Sequence, residues 1–458
     1  MSIIIQNGTI VTASDVYQAD IRIDGEVITS IASKIVPAAE DKVIDANGQY
    51  VFPGGIDPHV HFGVPGYADD FVNGTRAAAT GGITTVVNYV EPPTGGKSLL
   101  ENFQLWKQMA KDSVIDYGLQ PVINAEYSES VLKELPTLVE EGATSIKLFM
   151  SARGIGLLLS DVQIYKILKK ARENGVLATV HCENGDVIDE IVKETIAKGN
   201  TAPIYHGYSR PTILEAEATH RVLAIAQAAD APIRIAHVSC AEAMNEIEQA
   251  QKRGVIAYGE TTPHYLTKDI SSLELPNFEG AKYICSPPLR EKWHQEVLWR
   301  GIVSGILTTM GSDHAPVPFE GGKTLGRDSF AKIPNGGPGV EELFSIMYHF
   351  GVHEKRISLQ KFVDVTSTAT AKQLGLYPKK GNINVGSDAD IVILDSKQSR
   401  TISKATHYQK CDYNAYEGTK VQGIITHVLA RGEEIVKDRI FNGKPGRGQY
   451  IYRNKLNV

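Results

Sequence analysis

The chain has 458 residues, 42% of them hydrophobic and 22% charged, with a formal net charge of −6. That composition supplies a large buried core and excludes a mostly disordered chain. The acidic balance excludes the basic footprint of a dedicated nucleic-acid binder.

In chain order, residues 1–52 read as short strands joined by tight turns. Ile3-Ile4-Ile5, Ile10-Val11, Ile21-Arg22-Ile23 and Val27-Ile28 are β-rich, and Asn7-Gly8, Asp24-Gly25 and Asn47-Gly48 supply the positive-φ positions of hairpins. The middle of the chain then alternates strand-like and helix-like segments, the signature of parallel βα units. Eight buried strands are expected at 55–61, 82–89, 115–123, 145–150, 176–182, 233–238, 255–260 and 305–313. Eight such units close a barrel, and the span from His59 to Asp313 matches the ~250 residues that one (β/α)8 barrel takes. Strand texture returns at 389–394 and 424–429. The simplest organisation is a small β domain built from both chain ends, 1–52 and 376–458, around a barrel at 53–375.

Several apolar strands end in residues that packing does not require. The first ends His59-Val60-His61, the fourth carries Lys147, the fifth ends at His181, the sixth at His237 and the eighth at Asp313. A barrel gathers the C-terminal ends of its strands at one mouth. His59 and His61 stand two apart and so share one face of a strand, from which both can reach a metal ion at ~2.0–2.1 Å. Lys147 lies between apolar neighbours, where lysine is rare unless paired. Its plain readings are an internal salt bridge or an amine that snorkels to the mouth. The chemical reading is a desolvated, partly neutral amine that adds carbon dioxide. The resulting carbamate has two oxygens with which to bridge two cations ~3.5–4 Å apart. Asp57 is placed to orient a histidine. His206, His220, His294, His349, His353, His407 and His427 read as surface or capping residues, and His264 and His314 as pocket neighbours rather than ligands.

Together, Gly55-Ile56-Asp57-Pro58-His59-Val60-His61, Val180-His181-Cys182-Glu183-Asn184 and Gly311-Ser312-Asp313-His314 resemble the amidohydrolase superfamily. Within it the chain is most similar to the hydantoinase and dihydropyrimidinase family, through Ile115-Asp116-Tyr117-Gly118, Tyr283-Ile284-Cys285-Ser286-Pro287-Pro288-Leu289-Arg290, Ile333-Pro334-Asn335-Gly336, Val385-Gly386-Ser387-Asp388-Ala389-Asp390 and Asp412-Tyr413-Asn414-Ala415-Tyr416-Glu417-Gly418. The resemblance implies hydrolysis of cyclic amides by a hydroxide held between two divalent ions, zinc or manganese. It implies His59, His61, carbamylated Lys147 and Asp313 on one ion, and Lys147, His181 and His237 on the other. Asp313 would be the catalytic acid and base, and Ser286 and Asn335 would bind the ring amide. The substrate would be a small cyclic ureide, and the assembly a homotetramer or homodimer.

Two departures mark this chain. The family's oxyanion tyrosine, five residues after the bridging lysine, is replaced by Ala152, which leaves that role to Ser151 or to the metal alone. Gly82-Ile83-Thr84-Thr85, Gly74-Thr75-Arg76-Ala77-Ala78-Ala79 and Glu91-Pro92-Pro93 are similar to allantoinases and L-hydantoinases, which makes allantoin an alternative substrate. Gly63 stands where dihydroorotases carry an arginine. A non-catalytic scaffold relative and a nucleobase deaminase are further readings; the complete ligand set opposes the first and Lys147 the second. Arg153 reads as an exposed loop residue that could also touch a polar substituent.

The four cysteines, Cys182, Cys240, Cys285 and Cys411, form no CxxC pair and read as reduced thiols of a cytoplasmic protein. No apolar run approaches the ~18 residues of a membrane helix, and the N-terminus lacks a basic region for a signal peptide.

Overall fold

The computed structural model describes residues 2–456. Seven short strands come first: β1 (Ile3–Gln6), β2 (Thr9–Val11), β3 (Val16–Gln18), β4 (Asp20–Asp24), β5 (Val27–Ala32), β6 (Lys42–Asp45) and β7 (Tyr50–Pro53). Eight parallel strands follow: β8 (Gly55–Val60), β9 (Ile83–Val90), β10 (Asp116–Pro121), β11 (Ser145–Phe149), β12 (Leu177–His181), β13 (Ile233–Ile235), β14 (Ala257–Thr261) and β15 (Leu307–Met310). The chain closes with β16 (Ile391–Thr401), β17 (Lys420–Ala430), β18 (Glu433–Lys437) and β19 (Ile440–Phe441).

The eight parallel strands form two ladders, β8-β9-β10 and β11 through β15 in order. Parallel bridges between Val122 and Lys147 and between Val60 and His314 join the ladders at both seams and close the barrel. Each of the eight expected strands has its counterpart. They read as apolar runs because both faces are covered: β9, with sequence ITTVVNYV, is buried at every position. The helices between them carry ordinary punctuation. At Asp161–Asn174, Ser160 and Gln163 form a capping box, and Gly175, at φ 67°, ends the helix.

β13 and β15 are shorter than their apolar runs suggested. Their regular ladders stop at Ile235 and Met310, and the chain runs on to His237 and Asp313 with only irregular main-chain bonds to the neighbouring strands. Both residues take positive φ, 37° and 50°. Such backbone costs ~1–3 kcal/mol and gathers where side chains must be aimed.

Strands from both chain ends share a seven-stranded sheet in the order β19-β18-β17-β16-β7-β2-β3, in which β7 pairs antiparallel with β16. A second sheet, β5-β4-β1-β6, packs on it through Ile5, Ile21, Ile23, Val51, Ile391 and Leu429. A buried ion cluster ties this layer to the barrel. Lys380 Nζ lies 2.8 Å from Asp116, 3.0 Å from Asp388 and 2.7 Å from Asp390. The last residues strap the barrel: Tyr117 donates its N–H to Gln449, and Arg453 reaches inward to Ser145 Oγ and the Leu119 carbonyl, both at 2.7 Å.

Candidate functional site

The six residues expected as ligands meet at the C-terminal end of the barrel. His59 Nε2 and His61 Nε2 lie 3.1 and 3.5 Å from Asp313 Oδ1, and the three side chains form one potential metal-binding cluster. Ligand atoms ~2.0–2.1 Å from a tetrahedral ion stand about 3.3 Å apart, so the spacing suits one cation. On the other side of the pocket, His181 Nδ1 and His237 Nε2 face each other at 3.0 Å.

Lys147 stands between the two groups and is 1% exposed. Among the described residues its Nζ has no hydrogen-bond partner and no ion pair; it lies 5.1 Å from the rings of both Tyr89 and Phe149. The amine therefore neither snorkels nor sits in a salt bridge. Burial pulls it down to about 8, against the opposing pull of Glu260 and Asp313. An orphaned, half-titrating amine among ligand-type nitrogens fits a carbamate bridging two divalent ions, because the added group would give this buried atom the polar function it lacks.

Three of the four histidines are backed by carboxylates, an arrangement that fixes ring orientation and tautomer. His59 Nδ1 contacts Glu260 Oε1 at 2.6 Å, His181 Nε2 contacts Glu183 Oε2 at 2.7 Å, and Glu91 is 3.8 Å from His61 Nδ1. The fourth ring, His237, has its Nδ1 buried and unpartnered. Burial pushes Glu260 and Glu183 up, but the facing cations prevail and hold both below their ordinary range. Asp313 follows the same pattern: burial raises it, while His59, His61 and His237 outweigh burial and keep it an anion.

Asp57 does not orient a histidine ring. Its Oδ1 accepts the main-chain N–H groups of His59 and Ser312, so it pins the backbone where the first and eighth barrel strands meet. Glu260 takes the expected role. Its position at the end of β14, a polar residue closing a barrel strand like the histidines, was the available signal. The remaining histidines also differ in detail. His206 is buried and bonded to the Cys285 carbonyl, His294 accepts the N–H of Ala241 at a helix start, and His314 is buried against Asp69.

Above the ligand residues lies a cavity of about 260 Å³, with Ser286 and Asn335 on its wall. Ser286 Oγ donates to Asn335 Oδ1 at 3.3 Å. The two loops that carry them are joined by Lys323, fully buried, whose Nζ donates to the carbonyls of Ile284 and Pro334, both at 2.8 Å. Burial lowers this amine to about 7. Ala152 lines the cavity in a left-handed turn at φ 63°. Arg153 points outward and pairs with Asp186 at 2.7 Å. Tyr67 and Glu91 complete the wall on the His61 side.

The sequence of the amidohydrolase family matches residues 50–435. The D-hydantoinase of Geobacillus stearothermophilus is 48% identical over 99% of this chain and 97% of its own length. That of Streptomyces coelicolor is 43% identical over 98% and 97%. Among solved structures, the dihydropyrimidinase of Brevibacillus agri superposes with a TM-score of 0.97 at 48% identity, covering 100% of both chains. The L-hydantoinase of Arthrobacter aurescens gives 0.90 at 29% identity, covering 98% of this chain and 99% of its own. With the barrel, the paired histidines and the strand-end aspartate in place, the chain belongs to the amidohydrolase family.

Proposed function

We propose that this chain hydrolyses the cyclic amide bond of 5-substituted hydantoins or dihydropyrimidines and opens the ring to an N-carbamoyl amino acid. The observation that carries the proposal is the orphaned amine of Lys147 between two sets of ligand atoms, His59, His61 and Asp313 on one side and His181 and His237 on the other. D-hydantoinase relatives at 43–48% identity over nearly the full chain support the choice of ring.

In this reading His59, His61 and Asp313 would hold one divalent ion and His181 and His237 the other, with carbamylated Lys147 as the ligand residue between the two sets. Imidazole and carboxylate donors suit zinc or manganese. When bound, such ions lower the pKa of water and polarise a carbonyl. Asp313 is the proton carrier. Anionic and at the edge of the cavity, its carboxylate takes a proton from the attacking water and returns it to the ring nitrogen as the C–N bond breaks. Ser286 and Asn335 dock the ring amide on the wall above. The four buried free cysteines suit a cytoplasmic setting. Among the described residues no helix is long and apolar enough to cross a membrane. The resemblance further implies a homotetramer, which sedimentation would test.

The test is a panel of 5-substituted hydantoins in both hands, dihydrouracil and allantoin, with and without chelator. Hydrolysis of a hydantoin or dihydrouracil that stops with chelator and returns with zinc or manganese is expected. Inactivity on every hydantoin and on dihydrouracil would overturn the proposal. Turnover of allantoin faster than any other ring would move the assignment to allantoinase.

A further inference from the structure

Attack on an amide carbonyl places negative charge on its oxygen, and a pre-aimed hydrogen-bond donor lowers that barrier. The loop after β11 offers little for this. Ala152 ends at its Cβ. Ser151 reaches one atom further, but its main chain is pressed against Gly185, where an added Cβ would lie 2.6 Å from Ser151 Cα.

The loop after β8 offers more. Tyr67 is a phenol on the cavity wall, and its ring stands edge-on to His61 with centroids 6.4 Å apart. Among the described residues its hydroxyl has no hydrogen-bond partner, although the ring is largely enclosed. Burial, with the charges of Glu91 and Asp313, keeps the phenol protonated, so the hydroxyl is a donor. The loop is also fixed. Tyr67 N–H bonds to the Val64 carbonyl at 3.1 Å, Ala68 N–H to Pro316 at 2.9 Å and Gly63 N–H to Asp69 at 3.0 Å. Gly63 turns at φ 74°, a conformation that suits glycine. A side chain held on the cavity wall beside His61, with its hydroxyl unpaired among the described residues, keeps a donor available to a bound ligand.

Resting on the functional reading above, we infer that the Tyr67 hydroxyl is a catalytic donor to the ring's reacting amide, supplied from the first barrel loop in place of the fourth. Tyr67→Phe removes one hydroxyl and keeps the ring against His61. On the metal-loaded enzyme it is expected to lower kcat ~10²–10³-fold, the usual loss for one oxyanion donor, with KM within threefold and both metal content and Tm unchanged. Ser151→Ala is expected to lower kcat less than threefold. An unchanged kcat in Tyr67→Phe overturns the inference, whether or not KM rises. So does a loss that tracks metal content, or a larger loss from Ser151→Ala than from Tyr67→Phe. A wild-type enzyme inactive on every ring sinks the parent reading and this one with it. An active wild type whose Tyr67→Phe variant keeps its kcat sinks this one alone.

Discussion

Glu260 Oε1 sits 2.6 Å from Nδ1 of His59, with both side chains buried, so the ring's other nitrogen is turned toward Asp313. The carboxylate thereby sets the orientation of an expected metal ligand without touching the cavity.

Glu260→Gln keeps the shape and removes the charge. Losing an outer partner of a ligand histidine commonly costs 10–100-fold in metal affinity. We expect that loss for one of the two ions, measured by competition with a chelating dye. Unchanged affinity for both ions would contradict the role assigned to Glu260.

Carbamate formation needs neutral Lys147. With its amine near 8, the ammonium dominates below that pH and the free amine above it. The neutral fraction is about one-tenth at pH 7 and about nine-tenths at pH 9. At constant dissolved carbon dioxide, carbamate formation on metal-free protein, followed by NMR with labelled carbonate, should speed up about tenfold between those values and then level off. A rate independent of pH would count against a desolvated amine as the acceptor.

Asp313→Asn removes the proposed proton carrier. The expected fall in kcat is ~10²–10⁴-fold, the usual contribution of general acid–base catalysis, while His181 and His237 still take up metal. Stopped assays alongside metal analysis separate the two effects. A variant with full metal and near-native kcat would show that the proton travels by another route.

Lys323→Met takes the amine from the Ile284 and Pro334 carbonyls and leaves the Gly336 N–H on the Ile284 carbonyl, so it loosens the wall that carries Ser286 and Asn335. We expect KM to rise ~tenfold or more, about 1.4 kcal/mol of substrate binding, with kcat within a few-fold. A fall in kcat at constant KM would mean that Lys323 serves the reacting centre instead.

Lys380→Met takes away the cation that Asp116, Asp388 and Asp390 share and leaves Arg431, 3.0 Å from Asp116, to compensate only one of the three. Removing one partner of a buried ion cluster costs about 3–5 kcal/mol, so urea unfolding should show a loss of that order. A midpoint matching the wild type would show that the three carboxylates find other partners.

The barrel was legible because fully buried parallel strands read as apolar runs, and the residues that gather at its mouth because His59, His61, Lys147, His181 and His237 interrupt or end such runs. Both signals are local. Glu260 was not assigned, since its partner lies 201 positions away, and Asp57 drew a role from proximity that the fold gave to this distant glutamate. Lys323 acts on carbonyls of two loops that only the folded chain brings together. Tyr67 went unremarked because one tyrosine in a Gly/Pro-rich loop has no periodicity to expose it. The motif residues Asp116, Asp388 and Asp390 stood out in the sequence, but they meet at Lys380 and hold layers together rather than doing chemistry.

The pairing of β7 with β16 has a temporal consequence. On the ribosome, Pro53 emerges about 340 residues before Ile391, a delay of roughly 20–70 s at ~5–20 residues per second. Throughout that interval β7 has β2 beside it but not β16, so one strand edge of the opening segment stays unpaired until translation is nearly over.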